Sequence, residues 1–278
     1  MGYDKDENGQ LVINPEQAKV VEMIFRRFLE GWTPEEIAQN LREKNIPGVT
    51  GKAAWKANTI RRMLQNEKYK GDLLMQKTYT VDFLSKKMVD NNGERDQYYV
   101  QGNHKPIISP DDWEAAQYEL KRRKGFMESH GVREISSKVG TAFFSKVFCA
   151  SCGVRFIRKN WTGIKEPFWK CFHAEKAQGK TCKAENVKES VLQEAVVIAW
   201  NSIVENRDQQ MNHWQKMQMS ENPLDRLRGK QMIELTREGR LDFEIPELTR
   251  MVLQEITVHS PTSFTITLLD GTVKNVRL

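Results

Sequence analysis

All four cysteines of this chain fall within one short stretch. Cys149 and Cys152 form a Cys-x2-Cys pair, Cys171 follows, and Cys182 closes the set. That spacing limits what residues 141–183 can fold into. Two thiolates on one turn meet a single metal ion, Gly153 relieves the tight backbone behind them, and two more thiolates complete a tetrahedron, the ligand set of a zinc ribbon. Ten residues separate Cys171 from Cys182, so the second pair comes from a loop and not from a second knuckle. His173, two residues beyond Cys171, is an alternative ligand. Four protein ligands leave no position for water, so one Zn2+ with a structural role is the expected cofactor. Free or redox cysteines are the competing reading, but no strand–helix–strand pattern surrounds the pair. A segment of about 45 residues with few apolar side chains is expected to depend on its metal, an effect worth roughly 10–16 kcal/mol in finger peptides.

Charge divides the chain. The net charge is +6, yet residues 184–278 hold 11 Lys/Arg against 14 Asp/Glu, which leaves 32 against 23 in residues 1–183. A basic front with a mildly acidic rear suits a polyanion met by one part of the molecule only. No run approaches the roughly 18 apolar residues that span a bilayer. The opening Met1-Gly2-Tyr3-Asp4-Lys5-Asp6 lacks an apolar signal core. A cytoplasmic protein with no membrane partner is expected.

Hydrophobic periodicity places the elements. Asn14-Pro15 starts an amphipathic helix over 14–30, with Val20, Val21, Ile24, Phe25 and Phe28 on its apolar stripe. Thr33-Pro34-Glu35-Glu36 starts a second over about 34–44. A third is predicted near 55–65, lined by Ile60, Met63 and Leu64 with Trp55 at the edge. The last two are placed like a helix-turn-helix pair. Short strands follow at 73–75, 79–81 and 98–100 around the turn signal Asp90-Asn91-Asn92-Gly93, then a helix from Ser109 to about Lys124. Beyond the cysteines a helix runs from near Asn186 to as far as Met219, and Pro223 starts another that reaches about Glu238. Strands flank the Asp270-Gly271 turn at the end. The expected fold is mixed α+β and multidomain. A small helical, helix-turn-helix-like domain with a β-hairpin occupies 1–128 and a linker 129–140. A zinc-ribbon domain with long helices and a C-terminal β-hairpin occupies 141–278.

Two basic clusters carry the candidate contacts. On the third helix Asn58, Arg61, Arg62 and Gln65 share a face, with Thr59 beside them. Arg pairs bidentately with guanine, and Asn or Gln with adenine. Lys52, Lys56 and Lys68 flank this face and suit phosphates. Inside the cysteine segment Arg155, Arg158, Lys159, Asn160, Lys165 and Lys170 lie on a hairpin with Thr162-Gly163 at its tip. Double-stranded DNA is the expected partner of both clusters. A solvated face is the competing reading of each. The stretch of about 205–240 reads as a short helical hairpin or coiled-coil segment, seamed by Met211, Trp214, Met217, Leu224, Leu227, Ile233 and Leu235, through which copies can self-associate. Nothing marks a small-molecule substrate, and no Gly-x-Ser-x-Gly, Walker or His-Glu-x-x-His pattern occurs.

The order of these pieces resembles a known family. Gly2-Tyr3, Leu11-Val12-Ile13-Asn14-Pro15-Glu16-Gln17-Ala18, Ile37-Ala38 with Leu41, Trp55, Thr59-Ile60-Arg61-Arg62-Met63-Leu64 and Tyr69-x-Gly71 are similar to the recombinase domain of large serine recombinases. His104-Lys105-Pro106-Ile107-Ile108-Ser109 with Trp113 resembles that domain's closing segment. Phe148-Cys149-x2-Cys152-Gly153 with Cys171 and Cys182 looks like the family's zinc ribbon. The resemblance implies a DNA-recognition region that binds an attachment half-site. The third helix and the zinc hairpin are then expected in successive major grooves, with Lys124, Arg133 and Lys138 near the crossing. It also implies a catalytic domain with a serine nucleophile upstream, so the chain as it stands is expected not to be an enzyme. A short coiled-coil segment departs from the family's longer arm. A helix-turn-helix transcription regulator or assembly module with a zinc ribbon is the alternative.

Overall fold

The computed structural model describes residues 1–81, 86–132, 141–160, 163, 166–175 and 182–278. Two units separate by their internal contacts: Met1–Phe28 with Ile37–Gln117, and Leu29–Glu36 with Tyr118–Leu278. The division falls inside a helix rather than at the Gly- and Ser-rich 129–140, of which residues 133–140 lie outside the described residues. Glu119, Arg122 and Arg123 account for this, since they bond to groups of the second unit such as Arg228 and the Trp32 carbonyl.

The first unit opens with a hairpin of β1 (Tyr3–Lys5) and β2 (Leu11–Ile13). This hairpin is not among the expected elements, although Asn8-Gly9 is a strong turn signal. Helix α1 (Pro15–Leu29) is capped by Asn14, whose Oδ1 accepts the Gln17 N–H at 3.1 Å. It buries Ala18, Val21, Ile24, Phe25 and Phe28. Helix α2 (Pro34–Glu43) starts with a reciprocal capping box. The Thr33 N–H donates to the Glu36 carboxylate at 2.8 Å, and the Glu36 N–H to Thr33 Oγ1 at 3.2 Å. Helix α3 (Ala57–Leu64) is shorter than the predicted 55–65. Trp55 stays outside it, buried, because its indole N–H donates to the Ile46 carbonyl at 2.8 Å and fixes the approach to α3. Strands β3 (Leu73–Met75) and β6 (Tyr98–Val100) pair as predicted, while β4 (Thr78–Thr80) pairs with β5 (Met88–Asp90), a partner the sequence reading lacked. Helix α4 (Pro110–Ser129) is capped by Ser109.

In the second unit β7 (Val147–Cys149) precedes β8 (Phe156–Lys159) and β9 (Phe168–Cys171), with a turn of helix, α5 (Phe172–Glu175), after them. Strand β10 (Val187–Lys188) joins β9 and leads into α6 (Glu189–Glu205). The chain breaks at Asn206 and continues as α7 (Arg207–Gln218), α8 (Pro223–Leu235) and α9 (Pro246–Val252). It closes with β11 (Leu253–Ser260), β12 (Ser263–Leu268) and β13 (Val273–Arg277). The predicted C-terminal hairpin is β12–β13. It belongs to a four-stranded sheet ordered β13-β12-β11-β7, in which β7 runs parallel to β11 and Cys149 lies opposite Val258.

That pairing corrects the expectation of a ribbon with little core of its own. Cys149, Cys171 and Trp169 lie in one buried cluster with Trp200 of α6, Trp214 of α7 and Ile256 of β11. The helical hairpin is drawn into the same core. Gly229 of α8 lies so close to α7 that a Cβ there would sit 2.6 Å from the Trp214 carbonyl oxygen, and the fully buried Trp214 donates its indole N–H to Asp270 at 2.8 Å. Its apolar seam is thus occupied within the unit.

Candidate metal centre and nucleic-acid interface

Each thiol reaches the cluster by a different device. Cys149 ends β7, where Gly153, at φ +71°, lets the knuckle turn and donate its N–H to the Cys149 carbonyl at 2.8 Å. Cys171 ends β9 opposite Phe156, and Cys182 arrives on the loop before β10. The four Sγ atoms lie within 4.8 Å of one another, with 3.7 Å between Cys149 and Cys182 and 3.4 Å between Cys152 and Cys171. A tetrahedron of ~2.3 Å Zn–S bonds places its sulfurs ~3.8 Å apart, so the set fits zinc. Burial, and then the other sulfurs crowded against it, push the Cys152 thiol up to about 12. Burial also opposes ionisation of Cys149, but the Cys152 and Ser151 N–H groups outweigh it and hold that thiol below its ordinary value. His173, on α5, is not among the converging ligands. Zinc bound there would be held by the four cysteines and would supply a structural crosslink.

On α3 the buried and exposed faces separate cleanly. Ile60, Met63 and Leu64 are buried, whereas Lys56, Asn58, Thr59, Arg62 and Gln65 are exposed, as is Lys52 in the turn before. Arg61 is half-buried and engaged with neighbouring groups. No acidic side chain occupies the first turn and no side chain caps it, since Lys56 stands at the N-cap. The leading N–H groups and the positive helix end are therefore not engaged by a cap or by an acid of the helix's own first turn. Lys68 is half-buried on the 3-10 turn Glu67–Lys70, and its carbonyl accepts from His104 at 2.7 Å and from the Tyr3 hydroxyl at 3.1 Å. Tyr3 and His104 pack edge to face at 4.8 Å, and burial pushes the Tyr3 phenol up to about 12. In the sequence both residues stand out only through the family resemblance. Their physical task is to hold the turn that follows α3. Lys70, by contrast, pairs with Asp72 at 3.3 Å and lies over the Trp113 ring.

The zinc hairpin is less free. Strands β8 and β9 pair Arg158 with Trp169 and Lys159 with Phe168. Arg158 therefore shares the side of Phe156, Trp169 and Cys171, all buried. Its guanidinium closes on Glu189 of α6, which also accepts the Trp169 indole N–H at 3.1 Å. Arg155 lies over the Phe172 ring at 5.4 Å. Lys159 and Lys170 are half-buried and Asn160 is exposed. Lys165 and the expected tip residue Thr162 lie outside the described residues, as do Arg133 and Lys138; Lys124 is exposed, 3.9 Å from Glu128.

Residues 15–123 match the Recombinase family, and residues 142–201 match the Recombinase zinc beta ribbon domain. The chain belongs to the recombinases. That membership corrects the expectation that it is not an enzyme, because the match over 15–123 points to a recombinase enzyme. Two solved structures are similar to this recombinase. One, "Crystal Structure of a LSR-DNA Complex", is 17% identical with a TM-score of 0.48, covering 96% of this chain and 91% of that one. The other, "Sequence Requirements of the Listeria innocua prophage attP site", is 18% identical with a TM-score of 0.46, covering 96% and 89%. Among the described residues of the recombinase, no helix is long and apolar enough to cross a membrane.

Proposed function

We propose that this chain supplies sequence-specific duplex recognition at recombination attachment sites for a large serine recombinase, in DNA integration and excision. The observation that carries the reading is the α3 surface: Asn58, Thr59, Arg62 and Gln65 exposed on a short helix whose other side is core, with an uncapped, cationic N-terminus. Such a helix offers amide and guanidinium groups to base edges and N–H groups to a phosphate. Lys52, Lys56 and Lys68 add backbone contacts. In the second unit Lys159, Asn160 and Lys170 form a supplementary phosphate-binding set, with zinc holding their hairpin in shape; Lys165, expected in the same set, lies outside the described residues. Arg155 and Arg158 support that hairpin from within and contribute less. Self-association through α7 and α8 uses their outer surface, since the seam between them is filled. The action is placed in the cytoplasm, at the nucleoid. Recombinase membership favours this reading over a transcription regulator.

The test is a mobility-shift and footprinting assay on DNA flanking the gene. Affinity should fall about 10³–10⁵-fold between ~50 and ~200 mM salt if 6–10 phosphates are contacted, and a discrete footprint should survive excess competitor duplex. Binding that ignores salt and sequence alike overturns the proposal.

A further inference from the structure

A cavity of about 110 Å3 lies wholly within the second unit, away from the cysteines. It holds several times the ~10–15 Å3 one water needs and falls short of the roughly 300 Å3 of small organic-ligand pockets, which suits one small ion. Among the described residues its lining carries Arg122, Arg123, Lys146 and Arg250 against Glu36 and Glu119. Both acids are already engaged. The buried Glu119 accepts from Arg122 at 2.8 Å, Arg123 at 2.6 Å and Arg228 at 2.8 Å. Burial opposes its ionisation, but Arg123 and Arg122 outweigh that and hold its carboxyl well below the usual carboxylate range. Glu36 lies 3.6 Å from Arg250 Nε. The cavity therefore carries a surplus of positive charge.

Its donors are also under-used. Among the described residues, Ser145 Oγ and Arg250 Nε are buried with no hydrogen-bond partner. Lys146 Nζ donates to the Leu253 carbonyl at 2.8 Å, which leaves protons to spare. Ser145 sits at φ +55°, a left-handed conformation uncommon for a non-glycine residue and of the kind that clusters at ligand sites. Burial, and then Arg123 and Arg122, push the Lys146 ammonium down to about 7.

We infer that this cavity binds a tetrahedral oxyanion of the phosphate class, held by Ser145, Lys146, Arg122 and Arg250. A hydroxyl, an ammonium and two guanidinium groups give such an ion charge-assisted bonds. The phosphate can come from solution or from a nucleic-acid backbone. The inference does not rest on α3 reading DNA.

The experiment uses the zinc-loaded full chain and inorganic phosphate, with sodium chloride of equal ionic strength as control. Calorimetry should show saturable binding, and Tm should rise by roughly 3–6 °C once phosphate exceeds its Kd about tenfold. Lys146→Met should weaken phosphate binding about tenfold and Ser145→Ala by a few-fold, each with unchanged circular dichroism. Phosphate no better than chloride, or affinity that both variants leave intact, overturns the site. A non-target duplex identifies the source. If phosphate displaces it and Lys146→Met weakens it, the occupant is a backbone phosphate; if duplex binding is unmoved while phosphate still binds, it is the free ion. Arg62→Ala should leave phosphate binding alone, so failure of the α3 reading stays distinguishable.

Discussion

Helix α3 and the zinc hairpin carry similar charge, yet they handle it in opposite ways. On α3 the apolar residues recur at helical spacing, the core takes one side, and Arg62 remains exposed on the other. On the hairpin the period is two, so every second residue of β8 enters a core built around metal ligands. Arg158 falls on that side and needs Glu189 to be buried at all. Counting cations overstates how much of the hairpin's charge stands clear of the core. What decides is whether the element's period sends a cation outward.

The largest effect should come from removing the metal. Chelation, or Cys171→Ser at a fully buried position, is expected to destabilise the second unit by several kcal/mol, less than the roughly 10–16 of isolated finger peptides because β7 and the ribbon share their core with α6 and β11. Calorimetry with zinc analysis should show the transition of the second unit falling while that of the first stays. If both units melt together unchanged, the contrast between a metal-held and a helix-held element is wrong. Next is Arg158→Ala. It strands Glu189, whose side chain is 12% exposed, at a cost of about 2–4 kcal/mol in urea denaturation. Arg158→Met with Glu189→Gln should recover most of the loss. A stable single variant with weakened DNA binding would return Arg158 to the interface.

Much of this was legible in the sequence, for identifiable reasons. The cysteine spacing specified the ligand set because metal geometry leaves few alternatives, and the caps at Asn14, Thr33 and Ser109 marked helix starts because their bonds are local. Strand β7 pairing in parallel with β11 was not legible. Val147 and Ile256 meet across more than a hundred residues, and three-residue strands leave no period to read. The same holds for Arg158, whose partner Glu189 arrives through the return of β10 beside β9. The α7–α8 segment reads as a helical hairpin or short coiled coil because its seam is amphipathic. Trp214 bonding to Asp270 brings that seam inside.

Arg62→Ala tests the outward half of the comparison. Arg62 is exposed, so stability should change by less than ~0.5 kcal/mol. If Arg62 reads a base edge, discrimination between target and non-target duplex should fall by roughly 1–3 kcal/mol in competition binding. Equal loss on every sequence would reduce it to a phosphate contact.

The smallest effect is the sharpest, because stability and binding should move in opposite directions. Lys56 occupies the N-cap of α3 without a capping hydrogen bond, the position where Ser, Thr, Asp or Asn is preferred. A cation there also opposes the helix dipole. Lys56→Ser should therefore stabilise the first unit by about 0.5–1 kcal/mol, read as a shift of its urea midpoint at constant m-value. The same change removes one cation near the backbone. Affinity should fall by under ~1 kcal/mol on all sequences alike, and the slope of log affinity against log salt should flatten by about 1. A Lys56→Ser variant that is more stable and binds as before would show that this helix end meets no phosphate.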